Sequence, residues 1–140
     1  MLSLNDYIAQ LINLIVPVGS RVTCNPPPMD TDRDFLVLVK EIDFNNLLFQ
    51  LLKEDFEIGG SRVYRRGLTE DDFAFQSYTK GDINLIVTAS PKFFDKFIKA
   101  TNIARDLNLL NKQDRIDLFQ EVLYDVPRVT QWKKEWDKYL

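Results

Sequence analysis

A mixed β-sheet covered by helices, an α+β or α/β arrangement, is the fold this sequence predicts, and three stretches predict it. Phe35-Leu36-Val37-Leu38-Val39 is continuously apolar, as a strand covered on both faces must be. Phe73–Thr79 and Ile83–Thr88 read as two strands joined by Lys80-Gly81, a hairpin turn signal. From Ser90 onward the apolar residues recur at helical spacing instead. Strands therefore dominate the first two-thirds of the chain and helices the last third.

Taken in order, residues 4–14 read as an amphipathic helix, with Leu4, Ile8, Leu11 and Ile12 at helical spacing and Ser3 with Asp6 as a capping box. Ile15–Val18 is a short strand whose Pro17 assigns it to a sheet edge or end, because proline cannot donate to a ladder. Residues 19–30 read as loop, and Asn25-Pro26-Pro27-Pro28 favours an extended, semi-rigid connector. Phe44–Leu52 is a helix with Leu47, Leu48, Leu51 and Leu52 as its inward stripe. Phe56–Ile58 and Arg62–Tyr64 are further strands. Ser90-Pro91 starts a helix, with serine as N-cap and proline at the first helical position. Asn111 with Asp114 starts the next, and Pro127 ends it. Residues 129–138 form a last short helix carrying Trp132 and Trp136, either as core residues or as a stacking platform for bases.

A chain of 140 residues is one domain by default, here a sheet core over 1–89 followed by C-terminal helices over 90–140. Hydrophobic residues make up 45% and charged residues 28%, enough to build a core and keep a charged surface. The net charge of −3 argues against a chain that coats nucleic acid. Cys24 is the single cysteine, so no internal disulfide can form, and a cytoplasmic location is expected. There is no histidine, which removes Cys-His and Ser-His-Asp nucleophiles and most zinc sites. Any metal must be held by oxygen, which favours Mg²⁺, Mn²⁺ or Ca²⁺. No signal peptide and no membrane-length apolar run is evident, so no membrane partner is expected.

The chemistry concentrates at Thr31-Asp32-Arg33-Asp34, where two carboxylates two residues apart open the apolar strand. On a strand both project to the same side, and like charges that close repel unless a cation lies between them. Just upstream, Gly19-Ser20 offers backbone N–H groups and a hydroxyl to a phosphate, with Arg21 beside them. A divalent cation next to a phosphate cradle points to nucleotide chemistry. Asp30, Asp32, Asp34 and Glu41 also fall at calcium-loop spacing, but Phe35 stands where that loop needs glycine. Lys112 and Arg115 share a helix face, as solvated surface or as contacts to a triphosphate. Arg62, Arg65 and Arg66 are solvated charges or contacts to an acceptor nucleic acid.

A Gly-Ser step, a loop, then acid-x-acid opening an apolar strand resembles the nucleotidyltransferase superfamily typified by DNA polymerase beta. The resemblance covers roughly residues 4–52. Gly81-Asp82-Ile83-Asn84-Leu85-Ile86-Val87-Thr88 and the helices beyond it look more faintly like small nucleotidyltransferase-like proteins of bacteriophages. The resemblance implies an α+β, nucleotidyltransferase-like mixed sheet with helices packed on it and a C-terminal helical segment. It implies transfer of a nucleoside monophosphate from an NTP to a hydroxyl, with Mg²⁺ or Mn²⁺ bridging the triphosphate. The acceptor would be RNA, a protein side chain or a small molecule. Asp32 and Asp34 would hold the metal, and Gly19, Ser20, Arg21, Lys112 and Arg115 the nucleotide. The family's third acid lies between apolar residues on a neighbouring strand, and here Ile83-Asn84-Leu85 puts asparagine in that slot. Asp82, two residues earlier, is the carboxylate expected to take its place as metal ligand and catalytic residue. The alternative is a non-catalytic nucleotide- or partner-binding module on the same fold.

Overall fold

The computed structural model describes residues 4–29, 32–59 and 75–125. The elements run α1 (Asp6–Leu11), β1 (Ile12–Val18), α2 (Ser20–Thr23), β2 (Arg33–Val39), α3 (Glu41–Lys53), β3 (Glu57–Ile58), β4 (Gln76–Lys80), β5 (Ile83–Thr88), α4 (Pro91–Asp106) and α5 (Lys112–Tyr124). The described strands form one sheet in the order β1-β2-β5-β4-β3. β2 runs parallel to β5, and every other neighbouring pair is antiparallel. The fold is thus α+β with a mixed sheet, as expected.

Alternation along β2 and β5 divides the core in two. Leu36 and Ile86 point to the face covered by α4 and α5, where they meet Val18, Phe75, Phe97, Leu118 and Phe119. Val37, Val39, Leu85 and Val87 point to the other face, against Ile8 of α1 and Leu47 and Leu51 of α3. Both strands are therefore buried on both sides, which is why Phe35–Val39 is continuously apolar. Each such side chain removed from water contributes roughly 1.5–3 kcal/mol. On the α4 side aromatic rings interlock, with Phe93 stacked on Phe75 at 5.2 Å and Phe97 edge-on to Phe119 at 4.9 Å.

The helix starts follow the sequence. Ser90 accepts a hydrogen bond from Phe93 N, and Asn111 accepts from Gln113 N and Asp114 N. Several boundaries differ from expectation. The first helix stops at Leu11, and its cap is Asn5, whose Oδ1 accepts from Ile8 N at 2.8 Å. The next residues become strand because Ile12 and Leu14 pair with Val39 and Leu38, so ladder formation overrides the helical spacing. The segment read as loop after Gly19 opens with the short helix α2, whose first bonds run from Val22 N and Thr23 N to Gly19 O. Helix α3 begins at Glu41 rather than Phe44. Pro17 lies on β1, which is an edge strand.

The strand expected at Arg62–Tyr64, the start of the run from Phe73, the arginines at 62, 65 and 66, Pro127 and the last helix with its two tryptophans lie outside the described residues. So do Ser3, Asp30 and Thr31. Among the described residues no helix is long and apolar enough to cross a membrane.

Candidate functional site

Because β1 is antiparallel to β2 and β5 is parallel to it, the end of β1 and the starts of β2 and β5 meet at one end of the sheet. In register, Val18 pairs with Asp34 on one side and Asn84 pairs with Asp34 on the other. Asp34 shares its strand parity with Leu36, so it projects toward the α4–α5 face. Its carboxylate is held from both flanks. Asn84 Nδ2 donates to Asp34 Oδ1 at 3.1 Å. On the other flank Gly19 brings its α-carbon against the carboxylate: a Cβ there would lie 2.0 Å from Asp34 Oδ2. Gly19 also has φ +81°, a conformation that side chains other than glycine's rarely adopt. Only glycine meets both demands at this position.

This setting changes the acid's chemistry. Burial pushes the Asp34 carboxyl up from its ordinary 3.8 to about 6. The hydrogen bond from Asn84 pulls it back, the neighbouring charge of Asp32 raises it again, and the Arg21 guanidinium lowers it. Asp32, just before β2, is exposed. Ser20 is the first residue of α2 and is half-buried, while Arg21 is exposed. Gly19, Ser20, Arg21, Asp32 and Asp34 are therefore gathered at the same end of the sheet.

Asp82 is placed differently from the expectation that it stands in for the third acid. It lies in the turn before β5, its side chain 55% exposed, and both its oxygens are engaged by Arg33 at 3.0 and 3.1 Å. Arg33 N also donates to Asp82 O at 2.7 Å. The hydrogen bonds from Arg33 hold the Asp82 carboxyl below the usual carboxylate range, slight burial opposes this, and the charges of Arg33 and Arg21 reinforce it. Asn84, rather than Asp82, is the residue in contact with Asp34. Arg33 was missed in the sequence as the partner of Asp82. Their pairing follows from a register that sets Arg33 beside Ile83, which sequence spacing does not reveal.

Of the two basic residues assigned to the nucleotide, Arg115 has a local role. Its Nη1 donates to the carbonyls of Leu109 and Leu110, each at 2.8 Å, and to Cys24 Sγ at 3.3 Å. The α4–α5 connection is thereby tied to the loop after α2. Asn108 completes the tie: it accepts from Asn25 N at 2.9 Å and donates to Asn25 O at 3.1 Å. Lys112 is exposed at the start of α5.

Among the described residues no three Asp, Glu, Cys or His side chains gather closely enough to hold a metal ion. The donors at hand are the carboxylates of Asp32 and Asp34 and the amide of Asn84. These are the oxygen donors that could face a divalent cation, whose two positive charges would meet their two negative ones. The buried Asn84 Oδ1 finds no hydrogen-bond partner, so the site carries an unsatisfied acceptor beside its desolvated carboxylate. Turning the amide by half a rotation exchanges its oxygen with the N–H₂ group that now faces Asp34.

Among solved structures the chain is similar to the crystal structure of conserved protein GrpB from Enterococcus faecalis. The TM-score is 0.50 at 18% identity, over 92% of this chain and 86% of that one. At that identity the likeness is one of fold, and the fold is nucleotidyltransferase-like. The sequence matches no protein-family model and no curated protein.

Proposed function

We propose that the chain is a nucleotide-binding module that takes a nucleoside triphosphate together with one Mg²⁺ or Mn²⁺ ion and does not transfer it. Asp32 and Asp34 hold the cation, and Gly19, Ser20 and Arg21 meet the phosphates. The bound cation would offset phosphate charge next to two carboxylates. The observation that carries this reading is the Asn84–Asp34 hydrogen bond. The residue beside Asp34 on the neighbouring strand is an amide, which has no charge and cannot take a proton from an attacking hydroxyl at neutral pH. Asp82 is also a poor base, because Arg33 keeps its carboxyl in the ionised form with a low proton affinity. Burial gives Asp34 a higher proton affinity than Asp82, but in this reading its carboxylate is taken by the cation.

A second reading is a metal-dependent nucleotidyltransferase that moves a nucleoside monophosphate to a hydroxyl acceptor. One observation favours it: Arg21 lowers both Asp34 and Asp82, so the two acids lie within electrostatic range of one guanidinium. In that reading Asp82 leaves Arg33 and serves as the third carboxylate.

Calorimetry with a non-hydrolysable NTP and Mn²⁺, together with a label-transfer screen of the four NTPs on RNA and protein acceptors, separates the two. The module reading expects cation-dependent nucleotide binding, its loss in Asp34→Ala, and no release of pyrophosphate. Pyrophosphate release that disappears in Asp82→Asn establishes the transferase instead. Equal binding by wild type and Asp34→Ala removes the site from both readings.

A further inference from the structure

We infer that Asn108 and Arg115, at the corner between α4 and α5, are positioning residues for the pocket around Asp34: they clasp the chain just after α2 and so keep the Gly19 α-carbon seated on that carboxylate. The clasp needs no ligand, and it bears on nucleotide binding only through the roles proposed for Gly19, Ser20 and Arg21. α2 is one turn of four residues, too short to hold a helical shape by its own bonds. Its N-cap, Gly19, supplies no side-chain hydrogen bond. Its backbone bonds nevertheless form an unbroken series, from Val22 N and Thr23 N to Gly19 O and from Cys24 N to Ser20 O. Whatever fixes Cys24 and Asn25 is therefore passed to Gly19 through a single turn. Glycine has the loosest backbone of any residue, so holding it at φ +81° needs both ends. Val18, paired with Asp34, fixes the chain before Gly19. The end beyond α2 is fixed by residues 83 and 91 positions further along the chain.

Asn108 meets the backbone of Asn25 much as a neighbouring strand would. Its Oδ1 accepts from Asn25 N at 2.9 Å, and its Nδ2 donates to Asn25 O at 3.1 Å. Asn108 also has φ +48°, a left-handed conformation that glycine, asparagine and aspartate adopt most readily. Glycine there would lack the amide, and aspartate would lack the donor. Arg115 secures the adjacent residue. Its Nη1 reaches Cys24 Sγ at 3.3 Å as well as the carbonyls of Leu109 and Leu110, and the Cys24 thiol donates to Leu109 O at 3.5 Å. The corner is itself fixed to α4: Asn108 N donates to Arg105 O and Leu109 N to Ala104 O, each at 3.0 Å. Ala104 and Leu109 lie in the same buried cluster as Leu36 of β2. The glycine and the carboxylate it faces are thus both referred to one core, Asp34 through β2 and Gly19 through α4 and the clasp.

Nuclear magnetic resonance of the full chain, without metal or nucleotide, tests this in Asn108→Gly, which keeps the backbone conformation and removes both bonds. Amide exchange at Val22, Thr23 and Cys24 is expected to quicken by about tenfold or more, as the loss of two ordinary hydrogen bonds implies. The resonances of Gly19 and of the Asn84 side-chain amide, which faces Asp34, are expected to move with it. Amides of Leu36, Val37, Ile86 and Val87 in the central ladder should exchange as in wild type, which separates positioning from general destabilisation. Unchanged exchange in α2 overturns the inference. Faster exchange with Gly19 and Asn84 undisturbed also overturns it, as does an equal rise throughout the ladder. Should Asn108→Gly not fold, Arg115→Met, which keeps the packing stem and removes the donors, is read by the same signals. Calorimetry with Mn²⁺ and a non-hydrolysable NTP is then expected to show weaker binding by Asn108→Gly. Unchanged affinity in a variant whose Gly19 has moved counts against the proposed function alone. A wild type that binds no nucleotide removes that function and leaves the resonances to decide the clasp.

Discussion

Asp34 and Asp82 are the same functional group at the same end of one sheet, and the chain treats them in opposite ways. Asp34 is drawn against a glycine α-carbon and an amide, and burial raises its proton affinity. Asp82 stands in an exposed turn and is paired with a guanidinium, which lowers it. One acid is therefore poised to gain from a cation, and the other has already found one. The difference comes from the partners across the strands rather than from the aspartates themselves: Asn84 supplies no charge, and Arg33 supplies a full one.

The strongest way to break the contrast is at Gly19. Gly19→Ala drives a methyl group into Asp34 Oδ2 and forces a φ of +81° on alanine. A loss of about 2–4 kcal/mol is expected in urea unfolding, together with loss of Mn²⁺ binding. Gly81 is the internal comparison. Its φ is +59°, but a Cβ there would meet nothing within 4 Å. Gly81→Ala should therefore lose only about 1 kcal/mol, from backbone strain alone. Equal losses at the two glycines would mean that contact with Asp34 contributes nothing.

Asp34→Asn comes next, and its sign is opposite. The native carboxyl holds its proton to about pH 6, whereas the unfolded chain releases it near 3.8. Between those values the native state binds more protons, so stability falls as pH rises through this window. The contribution is fully present below the unfolded value and gone above the folded one. Asparagine keeps the acceptor for Asn84 and removes the charge, so the variant should be more stable than wild type at pH 7 by about 1–2 kcal/mol once solvent screening is allowed for. Unfolding measured from pH 4 to 7 should show the wild-type slope and a flatter variant. A variant less stable than wild type at pH 7 would mean that burial of the charge is not what raises Asp34. The same measurements with Mn²⁺ should stabilise wild type and not Asp34→Asn.

The smallest effect is expected at Asp82. Asp82→Asn should change stability little at pH 7, because exposed ion pairs are screened by water and by salt. What it does contribute is present above the unfolded carboxylate value and lost as pH falls through the lowered folded one. In the module reading Mn²⁺ affinity is unchanged in this variant. A marked loss of affinity would sharpen the case for Asp82 as a third carboxylate.

These contrasts were only partly legible in the sequence. The strands from Phe35 and Ile83 and the two capped helices after Ser90 follow from local composition, because periodicity and turn chemistry act within a few residues. The shift of β1 to start at Ile12 does not, since it depends on pairing with Val39 and Leu38 far along the chain. Nor does the fate of the acids. Asn84 could be flagged as the odd residue in an apolar strand, yet its contact with Asp34 needed the parallel register of β2 and β5. Arg115 shares a helical face with Lys112 in sequence, but its guanidinium is taken by the carbonyls of Leu109 and Leu110. Side chains with several donors go to the nearest unsatisfied carbonyl, and sequence spacing does not say where that is.

The order of strands in the sheet carries a consequence for how this protein is made. Gly19, Asp34 and Asn84 come from three separate stretches of chain, and the contact between the last two spans 50 residues. A fragment ending at residue 59 would contain the glycine and both carboxylates of the pair and would still lack the strand that holds Asp34 from its other flank. Closing that loop is an entropic step that local segments cannot complete alone. Two fragments, one ending before and one beginning after the stretch between β3 and β4, should therefore recover the Asn84–Asp34 contact only on complementation. A signal from that contact would report assembly of the central parallel pair, independently of whether the separate helices had already formed.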